Sequence, residues 1–512
     1  MTYTRRNIYD LGSDWADPAL WYARGVKALK DRPLALRTSW RFFAGMHGFA
    51  APRWQRFGYF DPATDQMPGS ADYDAFWQQC QHGSWYFLPW HRGYLAAFEA
   101  VVRAAIVDLG GPEDWALPYW NYFKPGQNQL PPQFASPDWP DGTGDNPLFV
   151  EARYGPFDDG NVYVPLEYVN LEALHDEQFE GAADGGPTGF GGVETGFEHG
   201  GRVHGGLETQ PHDYVHGLVG GAVPDTDPPY SAVMSHPNSA ALDPIFWLHH
   251  ANIDRLWASW RNGAGHNNPD EQAWLAGPTS IGERRFAMPA PNGSTWHFTP
   301  ADVSDLSQMD YVYDDLDPVL TESRTERRLK TFNLDATVFD KLLIGGAVAK
   351  PRNVELLGAN DRPLSVAGAG TQASVRVAAP ARAKLTETFS NMPRGSVPDR
   401  VFLNLENVRG LSDAAAFSVY INLPEGERAE DHPELLAGSV ALFGVSKATE
   451  SDGEQAGDGI TYSFEITRII DQLHLREGLD SDSLDVRIIP IKPVPESAEI
   501  SIGRIGIYRQ GS

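Results

Sequence analysis

Several histidines in this chain of 512 residues are spaced in a way that suits a metal site. His212 and His216 stand four residues apart in PHDYVHG, so a helix would point both imidazoles at the same place. Downstream, in DPIFWLHHANIDRLW, His249 and His250 are consecutive and therefore about 100° apart on a helix, so only one of them faces a shared site. One of these two would complete a set of three imidazoles.

A second set of three occurs earlier in the chain. His82 and His91 flank GSWYFLPW, and His47 closes the aromatic segment TSWRFFAGMHG. Taken singly, a histidine in such a setting is more often a core residue than a ligand. Two nitrogen triads without cysteine favour a metal that prefers imidazole, such as copper, although zinc also accepts three histidines. Ligand count alone therefore leaves the metal open.

Two longer patterns contain these histidines. The run HGSWYFLPWHRGYLAAFE, from His82 to Glu99, resembles the copper A signature of tyrosinases and polyphenol oxidases, and DPIFWLHHANID, from Asp243 to Asp254, resembles their copper B signature. The resemblance covers most of residues 1–320, including Tyr311-Val-Tyr313, which is similar to the tyrosine motif that closes the family's catalytic domain. It implies a type 3 centre of two copper ions with dioxygen as co-substrate. The implied ligands are His47, His82 and His91 on one copper and His212, His216 and His250 on the other.

The resemblance also implies roles for residues beside the ligands. His249 becomes a helix neighbour of the ligand His250. Asp254, one turn after His250, is expected to accept a ring N–H and fix the tautomer, the alternatives being an ion pair with Arg255 or a surface charge. Phe246, one turn before His250, is expected to pack against the ligand imidazoles, with ordinary core packing as the alternative.

Two further residues resemble family features near the copper ions, and a third departs from them. Cys80 stands two residues before His82, the spacing at which plant and fungal members form a thioether to the ligand imidazole; a buried, inert thiol is the alternative. Glu208, four residues before His212, matches a glutamate that holds a water over the site. Asp213 stands where strong tyrosinases commonly carry Asn. We hypothesise that Glu208 and Asp213 orient a water that accepts a phenol proton, with a solvated surface charge as the alternative for Asp213.

The implied activity is the oxidation of small phenols and catechols to o-quinones. The departure at Asp213 leaves open the ratio of phenol hydroxylation to catechol oxidation, so a catechol oxidase without hydroxylase activity is one alternative. A haemocyanin-like dioxygen carrier would use the same six-histidine chemistry without turnover. A dinuclear zinc hydrolase is a third class.

The elements that must position these residues can be predicted from start and stop signals. Helices are predicted over 38–48, 92–109 and 243–262, which indicates a mainly α dicopper domain built on a helical bundle over residues 1–320. The glycine-rich segment 181–206 is predicted to be a long surface loop.

The composition changes after this region. A charged linker is predicted over 321–352, and residues 353–512 contain short apolar or alternating runs that are typical of an antiparallel β-sandwich or barrel. The run AAFSVYINLPEG resembles the C-terminal β domain of plant-type enzymes, which implies a shield or lid over the copper ions; a packing or assembly domain is the alternative. The polar insert 447–459 is expected to be an exposed hairpin loop.

The composition restricts the classes of molecule that the protein can bind. The net charge of −27 disfavours nucleic acid and anionic membrane surfaces, and is consistent with a small neutral or cationic phenolic substrate. The single cysteine excludes an internal disulfide framework. No apolar run is long enough to span a membrane, and no signal peptide is visible, so we expect a cytoplasmic protein or one exported by a route that the chain does not reveal. A homo-oligomer remains open.

Overall fold

A computed structural model describes residues 2–139, 145–318, 354–377, 379–380, 383, 399–451, 457–475 and 483–511. The linker predicted over 321–352 lies outside these residues. In the described part the chain forms a helical region, up to residue 318, and a C-terminal antiparallel sheet. No described helix is long and apolar enough to cross a membrane.

The helical region contains most of the α-helices. In the described residues they are α1 (Asp17–Lys30), α2 (Trp40–His47), α3 (Ala51–Arg56), α4 (Ser70–Phe76), α5 (Phe87–Asp108), α6 (Pro132–Ala135), α7 (Tyr214–Gly220), α8 (Pro244–Arg261), α9 (Gln272–Leu275), α10 (Pro300–Val303), α11 (Val445–Thr449) and α12 (Thr467–Leu475).

The helix boundaries follow from local chemistry. The Ser39 side chain accepts the Phe42 N–H at the start of α2, and Asp243 does the same for Ile245 at the start of α8. Helix α5 begins five residues before the predicted start because Pro89 lies in its first turn, where an N–H has no partner within the helix. Helices α1, α2, α5 and α8 pack around aromatic side chains, among them Phe98, whose ring stacks on Trp247 at 3.5 Å.

The described strands are β1 (Tyr3–Arg5), β2 (Ala222–Val223), β3 (Tyr230–Ser231), β4 (Phe286–Pro289), β5 (Thr295–Phe298), β6 (Tyr311–Tyr313), β7 (Val354–Ala359), β8 (Leu364–Ser365), β9 (Thr371–Val377), β10 (Arg400–Arg409), β11 (Ala416–Ile421), β12 (Leu436–Ala441), β13 (Ile460–Glu465), β14 (Ser483–Pro490) and β15 (Ser501–Gln510). Strands β7 to β15 form one nine-stranded sheet in the order β12-β11-β14-β9-β7-β15-β10-β13, with β8 also paired to β15. Every pairing in it is antiparallel.

The sheet closes almost into a barrel because its two end strands, β12 and β13, contact each other. Strands β13 and β14 alternate buried and less buried side chains, as expected when one face lines a core. The mainly helical domain and the antiparallel barrel-like sheet predicted from the sequence are both present.

Two loop predictions need correction. The glycine-rich segment 181–206 contains no named helix or strand, but it is not an exposed loop: only Ala183, Asp184, Glu194 and Arg202 are exposed, and its other residues are buried or half-buried. The C-terminal sheet covers it, and Thr461 of β13 donates a backbone hydrogen bond to the Arg202 carbonyl. The polar insert begins within helix α11 rather than in an exposed loop, and its residues 452–456 lie outside the described part.

Candidate metal centre

Five helical segments and one loop bring the six predicted ligands together. His47 ends α2, His91 lies in the second turn of α5, and His82 is in the loop before that helix. His216 lies in α7 and His250 in α8, while His212 belongs to the irregular helical turn Glu208–Asp213 that leads into α7. All six side chains are buried, at most 4% exposed.

The imidazoles form two groups. Ligand atoms of His47, His82, His91 and Cys80 lie within 4.8 Å of one another, and so do those of His212, His216, His249 and His250. We call these the first and second clusters. The clusters are adjacent, since the rings of His91 and His250 stack with their centroids 4.5 Å apart.

Hydrogen bonds to oxygen determine which ring nitrogen carries the proton. The Nδ1–H groups of His47, His91 and His216 donate to the carbonyls of Pro237, Phe87 and Met234 at 2.8, 2.8 and 3.0 Å. The Nδ1–H of His212 donates to Oδ1 of Asp213 at 2.9 Å. Each of these rings therefore presents the lone pair of Nε2 to its cluster, as metal-ligating histidines do.

The second cluster fits a metal ion. Nε2 of His216 lies 3.1 Å from Nε2 of His212, and no proton lies between them because both rings hold theirs on Nδ1. It lies equally close to Nε2 of His250. Facing lone pairs repel unless a cation lies between them, and nitrogens about 2 Å from one ion are spaced about 3 Å apart.

The first cluster also has a feature that is typical of a metal site. Nε2 of His47 is buried without a hydrogen-bond partner among the described residues, which is unusual for a polar atom unless it serves a site. Burial lowers the pKa of His47 to about 3 and the pKa of each of the other five imidazoles well below its ordinary value. Neutral imidazoles of this kind are the form that binds a metal.

Cys80 faces His82 inside the first cluster. Its sulfur lies 3.5 Å from Nδ1 and 3.7 Å from Nε2 of that ring, and 3.4 Å from Nε2 of His91. Burial raises the pKa of the Cys80 thiol well above its ordinary value. The sulfur is thus almost equidistant from the two nitrogens of the His82 ring, and the carbon between those nitrogens is Cε1.

Two buried carboxylates lie beside the clusters. Both oxygens of Glu208 accept the backbone N–H of Gly83, at 2.9 and 3.1 Å, which places the carboxylate next to His82. The oxygens of Asp213 accept from His212 and, at 2.7 Å, from Nδ1 of His204. Burial and their mutual repulsion raise the pKa of Glu208, and burial raises that of Asp213, although His204 opposes both shifts.

The structure assigns Asp254 none of the three roles considered for it. Its Oδ1 accepts from Arg92 at 2.5 Å, and its Oδ2 accepts from the hydroxyls of Tyr311 and Tyr313 at 2.6 Å each. It does not hold the His250 ring, whose Nδ1 has no partner among the described residues. Arg92, which follows His91, donates to the Asp254 carboxylate instead. Asp254 therefore links helices α5 and α8 behind the clusters.

Aromatic rings enclose the clusters from two sides. Phe246 packs against His250 at 4.1 Å between ring centroids and against His47 at 4.9 Å. Phe443 extends from the C-terminal sheet, just after β12, and stacks on His216 at 4.2 Å with the planes only 15° apart. The same ring lies 5.7 Å from both His82 and His212. It therefore covers both clusters.

Comparison with known proteins is decisive for the family. Tyrosinase HcTyr1 of Hahella sp. (strain CCB-MM4) is 32% identical over 521 residues, covering 99% of each chain. The chain belongs to the tyrosinase and polyphenol oxidase family. The family model for the common central domain of tyrosinase matches residues 37–184 and 177–263, and a domain of unknown function (DUF7868) matches residues 353–510. The protein is accordingly a type 3 copper phenol oxidase.

Other tyrosinase relatives extend the likeness to both parts of the chain. A chloroplastic polyphenol oxidase of Malus domestica is 26% identical, over 80% of this chain and 64% of its own. The solved structure of latent apple tyrosinase superposes with a TM-score of 0.58 at 20% identity, covering 100% of this chain and 98% of its own. The latter match establishes a shared fold that includes the C-terminal sheet.

Two residues of this tyrosinase site were not found by sequence reasoning. Phe443 lies in the run SVALFGV, where an apolar residue signals a strand and nothing marks it as a site residue. His204 lies in the glycine-rich segment, predicted to be an exposed loop; a histidine four residues before Glu208 was the available signal. The assignment of the six imidazoles as copper ligands stays a prediction, and so does the thioether.

Proposed function

We propose that the two clusters hold two copper ions and that the protein uses dioxygen to hydroxylate monophenols and to oxidise catechols to o-quinones. The observation that carries the proposal is the convergence of Nε2 lone pairs in a buried, neutral site. His47, His82 and His91 would hold one ion and His212, His216 and His250 the other. The copper pair, when bound, supplies the activation of dioxygen and the two-electron oxidation of the substrate.

The protein supplies orientation and exclusion of water. Phe246 and the surrounding aromatic side chains form a dry wall around the imidazoles, which protects reactive oxygen from solvent. A phenol ring would stack on His216, in the position that the Phe443 ring occupies. Because the Phe443 ring is nearly parallel to His216, that face accepts a planar aromatic group.

Glu208 is proposed to handle the phenol proton. Monophenols are protonated at neutral pH, and the oxygen must lose its proton before it binds a metal. The Glu208 carboxylate is fixed beside His82 by the Gly83 N–H and would hold a water within reach of the substrate oxygen. Asp213 differs from Glu208 in its hydrogen bonds, because each oxygen of Asp213 already accepts an imidazole N–H.

Cys80 is proposed to bond to Cε1 of His82. The bond replaces the thiol S–H and the ring C–H, so two hydrogens and two electrons leave, and copper with dioxygen is the oxidant. The loop residue His82 lacks the support that a helix gives His91. The thioether would hold its ring in one orientation.

Phe443 is proposed to keep the intact chain latent. Its ring lies where a phenol ring would lie, so a substrate has access only when the C-terminal sheet moves or is cleaved. Dioxygen is much smaller and does not need this movement.

Oxygen uptake by the copper-loaded protein tests the function. The intact chain and the chain after limited proteolysis or detergent treatment are each given tyramine and the matching catechol. We expect low uptake by the intact chain and strong uptake with both substrates after treatment. Uptake with catechol alone would indicate a catechol oxidase. Reversible oxygen binding without consumption would indicate a carrier, and a preparation that retains zinc but no copper would contradict the proposal.

A further inference from the structure

The carboxylate of Asp213 is shared between two imidazoles. Its Oδ1 accepts the Nδ1–H of His212 at 2.9 Å, and its Oδ2 accepts the Nδ1–H of His204 at 2.7 Å. The Asp213 and His212 side chains are fully buried and His204 is 4% exposed. The three side chains thus form a buried chain of hydrogen bonds that ends at the second cluster.

We propose that His204 is a positioning residue for copper, acting through Asp213 to hold the ligand His212. The inference rests on the proposed function, because it takes the second cluster to be a copper site. Nothing in the sequence motifs assigns a role to His204, which belongs to neither copper signature.

The need for such support follows from the backbone beside His212. Gln210 has φ −142° and ψ 121°, so the helical conformation is broken two residues before the ligand. His91 and His250, by contrast, lie within the continuous helices α5 and α8. An imidazole at the edge of a break depends more on its side-chain partner. Partners of this kind fix the tautomer and orientation of a ligand ring and raise its basicity.

A single hydrogen bond would not fix the Asp213 carboxylate. A carboxylate bonded through one oxygen can still rotate about its Cβ–Cγ bond, and rotation would withdraw the acceptor from His212. The bond from His204 to the other oxygen removes this freedom. Glu208, 3.9 Å from the same nitrogen of His204, is too distant for a hydrogen bond and interacts with it through charge alone.

His204 is itself held in place from the C-terminal sheet. The backbone N–H of Thr461 donates to the Arg202 carbonyl at 2.7 Å, and Val203 forms a bridge with Thr461. The Tyr462 ring lies 6.3 Å from the His204 ring. The segment that carries His204 therefore keeps its position although it has no helix or strand of its own.

A matched pair of substitutions tests the proposal. His204→Leu removes the donor, whereas His204→Asn keeps an N–H close to the position of Nδ1. Each protein is loaded with copper, and the release of copper to a colorimetric chelator is followed over time. We expect His204→Leu to release one of its two copper ions up to about 10-fold faster than the unsubstituted chain, because loss of a ligand's direct partner weakens metal binding about 10- to 100-fold and His204 acts one step further away. His204→Asn should stay close to the unsubstituted chain.

Two controls separate positioning from general stability. His266→Leu removes a histidine that stacks on Trp260 away from the clusters, and it should lower the melting temperature without changing copper release. Asp213→Asn should accelerate release of the same ion, and His204→Leu should add little in its presence, because the two residues act as a unit. If His204→Leu does not fold, His204→Gln serves instead, since its amide reaches the position of Nε2 rather than Nδ1, and it should release copper faster than His204→Asn.

The outcomes are distinguishable. Copper release from folded His204→Leu at the unsubstituted rate would overturn the positioning role, as would equal rates for His204→Asn and His204→Gln. Failure of the unsubstituted chain to bind two copper ions would instead contradict the proposed function.

Discussion

The two imidazole clusters are held in different ways. In the first cluster, His47 and His91 donate to backbone carbonyls and His82 faces the Cys80 sulfur. Among the predicted ligands of the second cluster, His216 donates to a carbonyl. His212 depends on the Asp213 side chain, and Nδ1 of His250 has no partner among the described residues.

The difference indicates which cluster depends more on side-chain partners and can therefore be altered by substitutions. Main-chain carbonyls within a packed core change little with sequence, so the fold itself fixes His47 and His91 of the first cluster. The second cluster is supported by side chains, and its His216 is the ring on which Phe443 stacks. The proposed latency and the side-chain support of a ligand therefore both involve the second cluster.

The largest expected difference is between substitutions of two neighbouring histidines of the second cluster. His250→Ala should remove one copper ion and abolish oxygen uptake, because the Nε2 of His250 faces that of His216. His249→Ala should keep both ions, since His249 extends toward the Tyr122 hydroxyl, 3.4 Å from its Nδ1. Metal analysis and oxygen uptake of both variants make the comparison. Loss of copper from His249→Ala alone would reverse the ligand assignment.

The next effect concerns the proton of the phenol. Glu208→Gln should lower hydroxylation of tyramine about 100-fold, because proton transfer by a positioned group contributes on that order. Oxidation of the matching catechol by the same variant is the internal control and should fall much less. An unchanged ratio of the two rates would remove Glu208 from the proton path.

A smaller effect is expected from the covering ring. Phe443→Ala should raise the activity of the intact chain about fivefold, because it removes a ring contact worth about 1 kcal/mol. Protease-treated Phe443→Ala should match the treated unsubstituted chain. Leu442→Ala is the matched control, since Leu442 packs into the core of the C-terminal sheet. Equal activation by both variants would attribute latency to the stability of the sheet rather than to the ring.

The smallest change is a mass difference of two hydrogens. After copper loading, the intact chain should be lighter by two hydrogens than its sequence predicts, and Cys80 should resist alkylation. Cys80→Ser should show its full expected mass and release copper from the first cluster moderately faster. A full mass together with a freely alkylated Cys80 in the copper-loaded chain would exclude the thioether.

Local patterns in the sequence predicted much of this architecture. Start and stop signals such as Asp243-Pro244 predicted the helices α2, α5 and α8, and the alternating C-terminal runs predicted most strands of the C-terminal sheet, because each signal depends on neighbouring residues. Burial of the glycine-rich segment could not be predicted, since it results from a sheet more than 250 residues later in the chain.

Side-chain partners in the site were the least predictable. Asp254 has the correct spacing to contact His250, yet Arg92, Tyr311 and Tyr313 compete for its oxygens from distant parts of the chain. Phe443 shows the same limit, because its apolar character fits a strand as well as a site. Contacts of this kind depend on how separate elements meet, which periodicity does not specify.

The ion pair between Arg92 and Asp254 fixes the distance between two helices of the site. Arg92 follows His91 in α5, and Asp254 lies one turn beyond His250 in α8, so the ion pair joins the two helices immediately behind one ligand of each cluster. The spacing of the clusters is therefore supported by contacts within the helical region. The C-terminal sheet can therefore cover or uncover such a site without a change in the distance between the two clusters.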